Sequence, residues 1–390
     1  MWRIDGVRYY QYVTLILVVL EVTIVMVVVA WLVANAFNDG LLGGFQNLLD
    51  IANLVTLVML VNLVVYIILF HAVSRRNERR YQQAYHDWMK RWAQSYLSNT
   101  PPEHIPLEEA VAESHFDYTK SMSRDPRLVR WAQQSGLMRY WYEQLYQRNK
   151  LDVLHALEAF GVLGTAEDIP SVLHHTHSDN LDVQMISAKA LAQMIFNQPR
   201  EGRTNNLHTM RDALLRVRLP VFAFEEIFAI LDEYSPTVKQ VLFQQAELPD
   251  NLLLACINSV KSHYEVQFLN DVAHYLPHKN PLVQQAVLGV FATLQQIPSS
   301  VYRDVLQMVV SNDKGVRERA LSAIQSSPLY RTRLPLWLAL GDADWDVRFA
   351  AAQILQAYGE AGMQVLQTAR ERHDRSAGRE VAKQLLDAET

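Results

Sequence analysis

The chain opens with two long apolar runs and then changes character. From Tyr12 to about Ala34 it reads YVTLILVVLEVTIVMVVVAWLVA, with one charge, and from Leu48 to about Ala72 it reads LLDIANLVTLVMLVNLVVYIILFHA. Each exceeds the ~20 apolar residues a helix needs to cross a bilayer. The stretch between them, NAFNDGLLGGFQN, contains glycine and lacks Lys and Arg. Arg3 and Arg8 precede the first run, and Arg75, Arg76, Arg79, Arg80, Lys90 and Arg91 follow the second. The excess of basic residues at the outer ends predicts a transmembrane hairpin over 1–73, with spans at about 12–34 and 48–72 and both termini in the cytoplasm. Trp2, Tyr9, Tyr10 and Trp31 fall where an interfacial aromatic belt is expected. Ala34-Asn35-Ala36 has the small-x-small form of a signal-peptide cleavage site, but the run before it is too long for a usual signal peptide and Glu21 interrupts it.

Glu21 is the costly residue of the first span, since a carboxylate at mid-bilayer costs about 3 kcal/mol on insertion scales. Asn62 stands at a similar depth in the second span. Two outcomes are open: a Glu21–Asn62 hydrogen bond worth about 1 kcal/mol that locks the hairpin, or docking of these residues to a polar group of a partner membrane protein. Residues 74–100 then read as a basic juxtamembrane helix in which the arginines alternate with Tyr81, Tyr85, Trp88 and Trp92. Such a segment suits anionic lipid headgroups, and it equally serves as a plain topology signal.

Thr100-Pro101-Pro102 marks a break, after which 101–148 reads as an irregular helical linker or N-terminal cap. Its aromatic run, Tyr140, Trp141, Tyr142 and Tyr146, predicts core. Beyond it the chain repeats. NDKGVRERALSAI and DADWDVRFAAAQIL share one pattern, and extending it places apolar anchors at Leu157, Leu191, Ile227, Val260, Phe291, Ile324, Leu355 and Leu386. That spacing belongs to stacked helix pairs; the register at Ile227 has the weakest support. Asn180, Asn280, Asp313 and Asp344 each precede a valine by three residues, at Val183, Val283, Val316 and Val347, and predict N-caps. Gln184, Gln284, Arg317 and Arg348 come next. The small residues Ala188, Ala286, Ala320 and Ala351 follow and predict close helix packing, and Gly164, Pro249, Pro298 and Gly359 punctuate the units.

The D-x-x-V-R-x-x-A-x-x-x-L form resembles the HEAT repeat, in particular the short variety of the phycobilin lyases, over about 149–390. The resemblance implies an all-α chain: a transmembrane hairpin followed by a HEAT-type α-α solenoid. It also implies that Asp313, Asp344, Arg317 and Arg348 form a structural ladder of caps and inter-repeat hydrogen bonds rather than a catalytic set.

Composition narrows the function. A net charge of −5 argues against a nucleic-acid binder, and one cysteine, Cys256, excludes an internal disulfide. Cys256 lies in the apolar stretch LLLACINSV, where a buried inert thiol is expected. His174, His175 and His177 with Asp179 are the best metal candidates, but adjacent histidines on one turn point apart. Asp342, Asp344 and Asp346 lack the glycine and terminal glutamate of a calcium loop. No phosphate-binding loop or nucleophile elbow is present. No catalytic residue, metal or cofactor is therefore expected. The expectation is a non-catalytic scaffold in a bacterial inner membrane, its solenoid in the cytoplasm. It would bind an integral membrane protein, a cytoplasmic protein or both, for example as an accessory subunit of a glycosyltransferase or of envelope-polysaccharide export. The alternatives are a bilin-lyase-like, chromophore-handling enzyme and a sensor of anionic lipid.

Overall fold

A computed structural model describes residues 26–28, 31, 41–372 and 375–387. Among them the chain is all-α, with no strand, and it divides into two compact units, Met1–Arg148 and Asn149–Thr390.

The first unit is organised by α1, Leu41–Ser98, a helix of 58 residues. At 1.5 Å per residue it is about 87 Å long. The expected division near residue 73 into a span and a separate juxtamembrane helix is not seen as a break. Between Phe45 and Ser98 there is neither proline nor glycine, so the backbone has no reason to stop. The helix ends where Asn99 takes a positive φ of 57° just before Thr100-Pro101-Pro102. Among the described residues this is the one helix long and apolar enough to cross a membrane. The first apolar run lies almost wholly outside the described residues, and with it the proposed pairing of the two spans.

Along α1 the surface changes from exposed apolar to packed. Twelve large apolar side chains between Leu57 and Phe70 are exposed. Past Arg80, the i, i+4, i+7, i+11 stripe Tyr81, Tyr85, Trp88 and Trp92 turns toward α2, Glu109–Ser121. Trp88 and Trp92 are buried; the Trp92 Nε1–H donates to Ser114 Oγ at 3.1 Å, and the Tyr85 hydroxyl donates to Asp117 at 2.7 Å. The short helices α3, Pro126–Ser135, and α4, Met138–Leu145, complete the unit. Asp125 caps α3 by accepting the Arg127 backbone N–H at 2.8 Å, and the Tyr96 hydroxyl of α1 donates to the same carboxylate at 2.9 Å. Of the aromatic run, Tyr140 and Trp141 are core, with Trp141 edge-on to Phe116 at 5.7 Å. Tyr146 is exposed, because it stands just past the end of α4.

The second unit is built of α5 (Lys150–Leu163), α6 (Ile169–His175), α7 (Leu181–Phe196), α8 (Arg200–Asn205), α9 (Leu207–Arg216), α10 (Val221–Leu231), α11 (Ser235–Phe243), α12 (Asp250–Ser262), α13 (Leu269–Ala273), α14 (Pro281–Leu294), α15 (Tyr302–Met308), α16 (Lys314–Ile324), α17 (Leu329–Leu340), α18 (Trp345–Ala357), α19 (Glu360–Arg372) and α20 (Ser376–Asp387). Helices α5, α7, α10, α12, α14, α16 and α18 each pack on the next, and the others flank this row. The anchors Leu157, Leu191, Ile227, Val260, Phe291, Ile324 and Leu355 all sit in the row and are fully buried, the weakly supported Ile227 included. Leu386 is only half-buried, and Val381 with Ala382 close α20 instead. Ala188, Ala320 and Ala351 are buried as small contact residues, whereas Ala286 is half-buried. Helices α5 and α7 approach closely at Gly161, where a Cβ would stand 3.3 Å from Ala190 Cα of α7.

Candidate functional surfaces

Three sets of residues carry the chemistry: the basic foot of the apolar helix, the turns that join the row, and two buried polar centres. At the foot, Arg75, Arg76, Arg79, Arg80, Lys90 and Arg91 are all exposed. The first four stand as two i, i+4 columns and, with Ala72 and Gln83, frame a shallow depression. None of those four is ion-paired among the described residues. Arg91 lies over the Trp88 ring at 4.9 Å. Of the aromatics that alternate with these arginines, Trp88 and Trp92 are buried and Tyr85 donates to Asp117. Asn62 sits partly buried within the exposed apolar stretch, and Glu21 lies outside the described residues.

In the second unit the structure brings the sequence-predicted cap residues to equivalent turns. Asn180 accepts the backbone N–H groups of Asp182 and Val183 at 3.0 and 3.4 Å, Asn280 that of Leu282 at 3.0 Å, and Asp313 that of Val316 at 2.9 Å. Asp344 departs from the pattern. It holds the N-cap position of α18 but makes no side-chain cap bond, because its carboxylate is engaged by Arg317 Nη2. Four side chains in one register then reach back six residues to a turn carbonyl. Gln184 donates to Ser178 O at 2.6 Å, Gln284 to His278 O at 2.8 Å, Arg317 to Ser311 O at 3.0 Å and Arg348 to Asp342 O at 2.8 Å. Arg317 also bridges to the next turn through Asp342, with Nε 2.8 Å from Oδ2. Arg348 is satisfied within its own turn, by Asp342 O and Ala343 O. Lys150–Asp182 and Lys314–Asp346 repeat one ion pair at a separation of 32 residues. The hydrogen bonds of these residues close turns and join neighbouring turns of the row.

No protein-family model matches this chain. No curated protein matches it either. The solved structures similar to the chain include two engineered proteins from the Northeast Structural Genomics Consortium. One agrees at 15% identity over 72% of this chain and 84% of its own, with a TM-score of 0.34. The other agrees at 15% identity over 64% of this chain and 95% of its own, with a TM-score of 0.18. Both are all-helical, as this chain is; superpositions this loose add nothing to the helix order described above.

The histidine-rich turn gathers no ligand set. The His174 and His175 rings meet edge-on at 5.6 Å, and His177 lies by Leu173 O at 3.3 Å and Arg216 Nη1 at 3.1 Å. Among the described residues no group of three or more metal-ligating side chains comes together.

Two buried polar centres were not read from the sequence. Lys239 of α11 is fully buried; its Nζ donates to Ser259 Oγ at 3.0 Å and to the buried Glu265, and it lies over Phe268 at 5.9 Å. Burial pushes the ammonium pKa down, against the hydrogen bond and charge of Glu265. Cys256 is buried in the same unit, and burial pushes its thiol up, away from thiolate chemistry. In the first unit His115 is wholly buried against Trp92, ring centroids 4.6 Å apart and nearly perpendicular. Neither ring nitrogen closes a hydrogen bond. Burial pushes its pKa down to about 4. One signal was available for Lys239: it falls on the apolar stripe of Val238 and Leu242, where a charge needs a partner. His115 carried none, since a histidine between serine and phenylalanine fits any amphipathic helix.

Proposed function

We propose that the chain is a membrane-anchored, non-catalytic adaptor, and one observation carries the reading. Helix α1 exposes twelve large apolar side chains along one half and roots the other half in a folded unit through Trp88 and Trp92. Covering such side chains is worth about 1.5–3 kcal/mol each when complete. Discounted for partial exposure, the sum is on the order of 10 kcal/mol, comparable to the whole net stability of a typical domain. Left in water, that half would drive association; a bilayer covers it, and the four arginines that follow belong on its cytoplasmic side.

On this reading the second unit is a HEAT-type solenoid, and its row of helices offers a surface to a protein partner. Repeats that contact mainly their neighbours make extended binding surfaces more often than active sites. The residues sharing a register support that view, because they are used as caps and rungs. The test is purification in mild detergent from native membranes. A multi-span protein that co-isolates with the full chain is expected, and a clean monomer, or recovery wholly from the aqueous fraction, would overturn the adaptor and the anchor respectively.

A second reading, a sensor of anionic lipid, draws on the four unpaired arginines at the foot of α1. Replacing them with glutamine is expected to abolish enrichment of acidic phospholipid around the purified protein while leaving membrane insertion intact.

A further inference from the structure

Helix α17 is apolar on two opposite sides. One side, Thr332, Pro335, Leu336, Ala339 and Leu340, is buried in the unit. The other carries Tyr330, Leu334 and Leu338, exposed by 77%, 67% and 50%, with Trp337 partly exposed among them. Positions 330, 334, 337 and 338 fall on one face at helical spacing. Arg331 and Arg333 project along the two opposite edges of that face, both exposed, and neither is ion-paired among the described residues. Arg331 lies over the Tyr330 and Tyr302 rings at 5.5 and 5.6 Å. The flanking helices differ. The outward positions of α19, Glu360, Gln364, Gln367, Arg370 and Glu371, are polar, as are Arg303, Asp304 and Gln307 of α15.

We propose that this face of α17 docks on the surface of an anionic bilayer. The inference rests on the membrane-anchor reading and adds a second, separate contact to it. The residue types are those of an interfacial helix: leucines for the acyl boundary, a tyrosine and a tryptophan whose rings have one apolar and one polar end, and arginines that reach out to phosphates. Two cations without a carboxylate partner among the described residues, Arg331 donating only to the Tyr330 hydroxyl at 3.1 Å, complement an anionic surface. The area argues the same way. The strip is one helix wide and exposes roughly 400 Å² of side chain, about half of what each partner of a stable protein interface buries. A weak contact is sufficient only if something else already holds the chain nearby, and a bilayer anchor does so.

The experiment uses the full chain reconstituted in lipid nanodiscs, with Leu334→Cys carrying an environment-sensitive fluorophore. Cys256 is fully buried, so the label is directed to the new site. In discs containing phosphatidylglycerol the label is expected to shift to the blue and to be quenched by bromolipids; in phosphatidylcholine discs both effects should weaken. Arg331→Gln with Arg333→Gln should lower the docking equilibrium roughly thirtyfold, and the double lysine variant should restore it. An unchanged far-UV spectrum shows that the variants remain folded. A label that stays in water in anionic discs overturns the inference and leaves the anchor standing. A label that is buried, unquenched by bromolipid and dependent on protein concentration also overturns it, in favour of a protein occupant. Failure of the unlabelled chain to enter discs at all strikes the anchor itself.

Discussion

The C-terminal turns of the second unit and its middle solve the same packing problem by different means. Around residues 311–348 the rungs are made at the turns, by Arg317 with Asp342 and Asp344 and by the exposed Lys314–Asp346 pair. Around residues 225–265 the register is faint in sequence, and neighbouring helices are joined inside the core by Lys239 with Ser259 and Glu265, and beside it by Asn258 donating to Glu225 at 2.8 Å. Both regions join a cation to a carboxylate across about one repeat. What separates them is solvent. Exposed charges such as Lys314 and Asp346 cost little to leave unpaired, and the largely buried Arg317 still has two carboxylates and two turn carbonyls to share its charge. A charge in the core has no alternative to its partner, so the middle is held by few contacts of high consequence.

The largest effect is therefore expected at Glu265→Ala, which strands the Lys239 ammonium. A loss of about 3–5 kcal/mol is expected in urea unfolding of the detergent-solubilised protein. Lys239→Met with Glu265→Leu should recover most of that loss. A single variant as mild as the double would refute the contrast.

The first unit tests the same principle by titration. The His115 pKa falls from its ordinary 6.5 to about 4 on burial. Between these values the unfolded chain binds more protons than the folded one, so stability falls as pH drops through that window. Below it the loss reaches roughly 3 kcal/mol. Unfolding of the wild type across pH 7 to 4 should show this slope, and His115→Phe should flatten it.

Arg317→Ala stands next, because the guanidinium is nearly buried and bonds both a turn carbonyl and the following turn. About 2 kcal/mol is expected by the same measurement. Asp313→Ala removes a helix cap and should cost about 1 kcal/mol. Lys150→Ala, at an exposed pair, should stay within about 0.5 kcal/mol. An inverted order, with Lys150 outweighing Arg317, would break the comparison.

How much of this was legible in sequence follows the same line. The valines of the cap register and seven of the eight anchors could be read because burial on a helix repeats with the helix period, a property of consecutive residues. The turn-capping Asn180, Asn280 and Asp313 could be read for the same local reason. Asp344 could not: its cap position is local, but the competing claim of Arg317 comes from 27 residues away. The continuity of α1 was hidden by a change of composition at residue 73, which resembles a boundary although nothing in the backbone interrupts there. The partners of Trp88 and Trp92 were likewise invisible, since an amphipathic aromatic stripe is compatible with lipid and with protein alike.

By itself the sequence indicated that the chain is helical, where several helices of the second unit begin, and that a long apolar segment follows residue 48. These follow from propensity, caps, breakers and period, all encoded within a few residues of one another. Tertiary structure alone decided which charges are buried together, which aromatics root the long helix, and which helix keeps an apolar face toward solvent. Those outcomes depend on how helices some thirty residues apart cross and on how much water remains between them, and no local pattern records that distance.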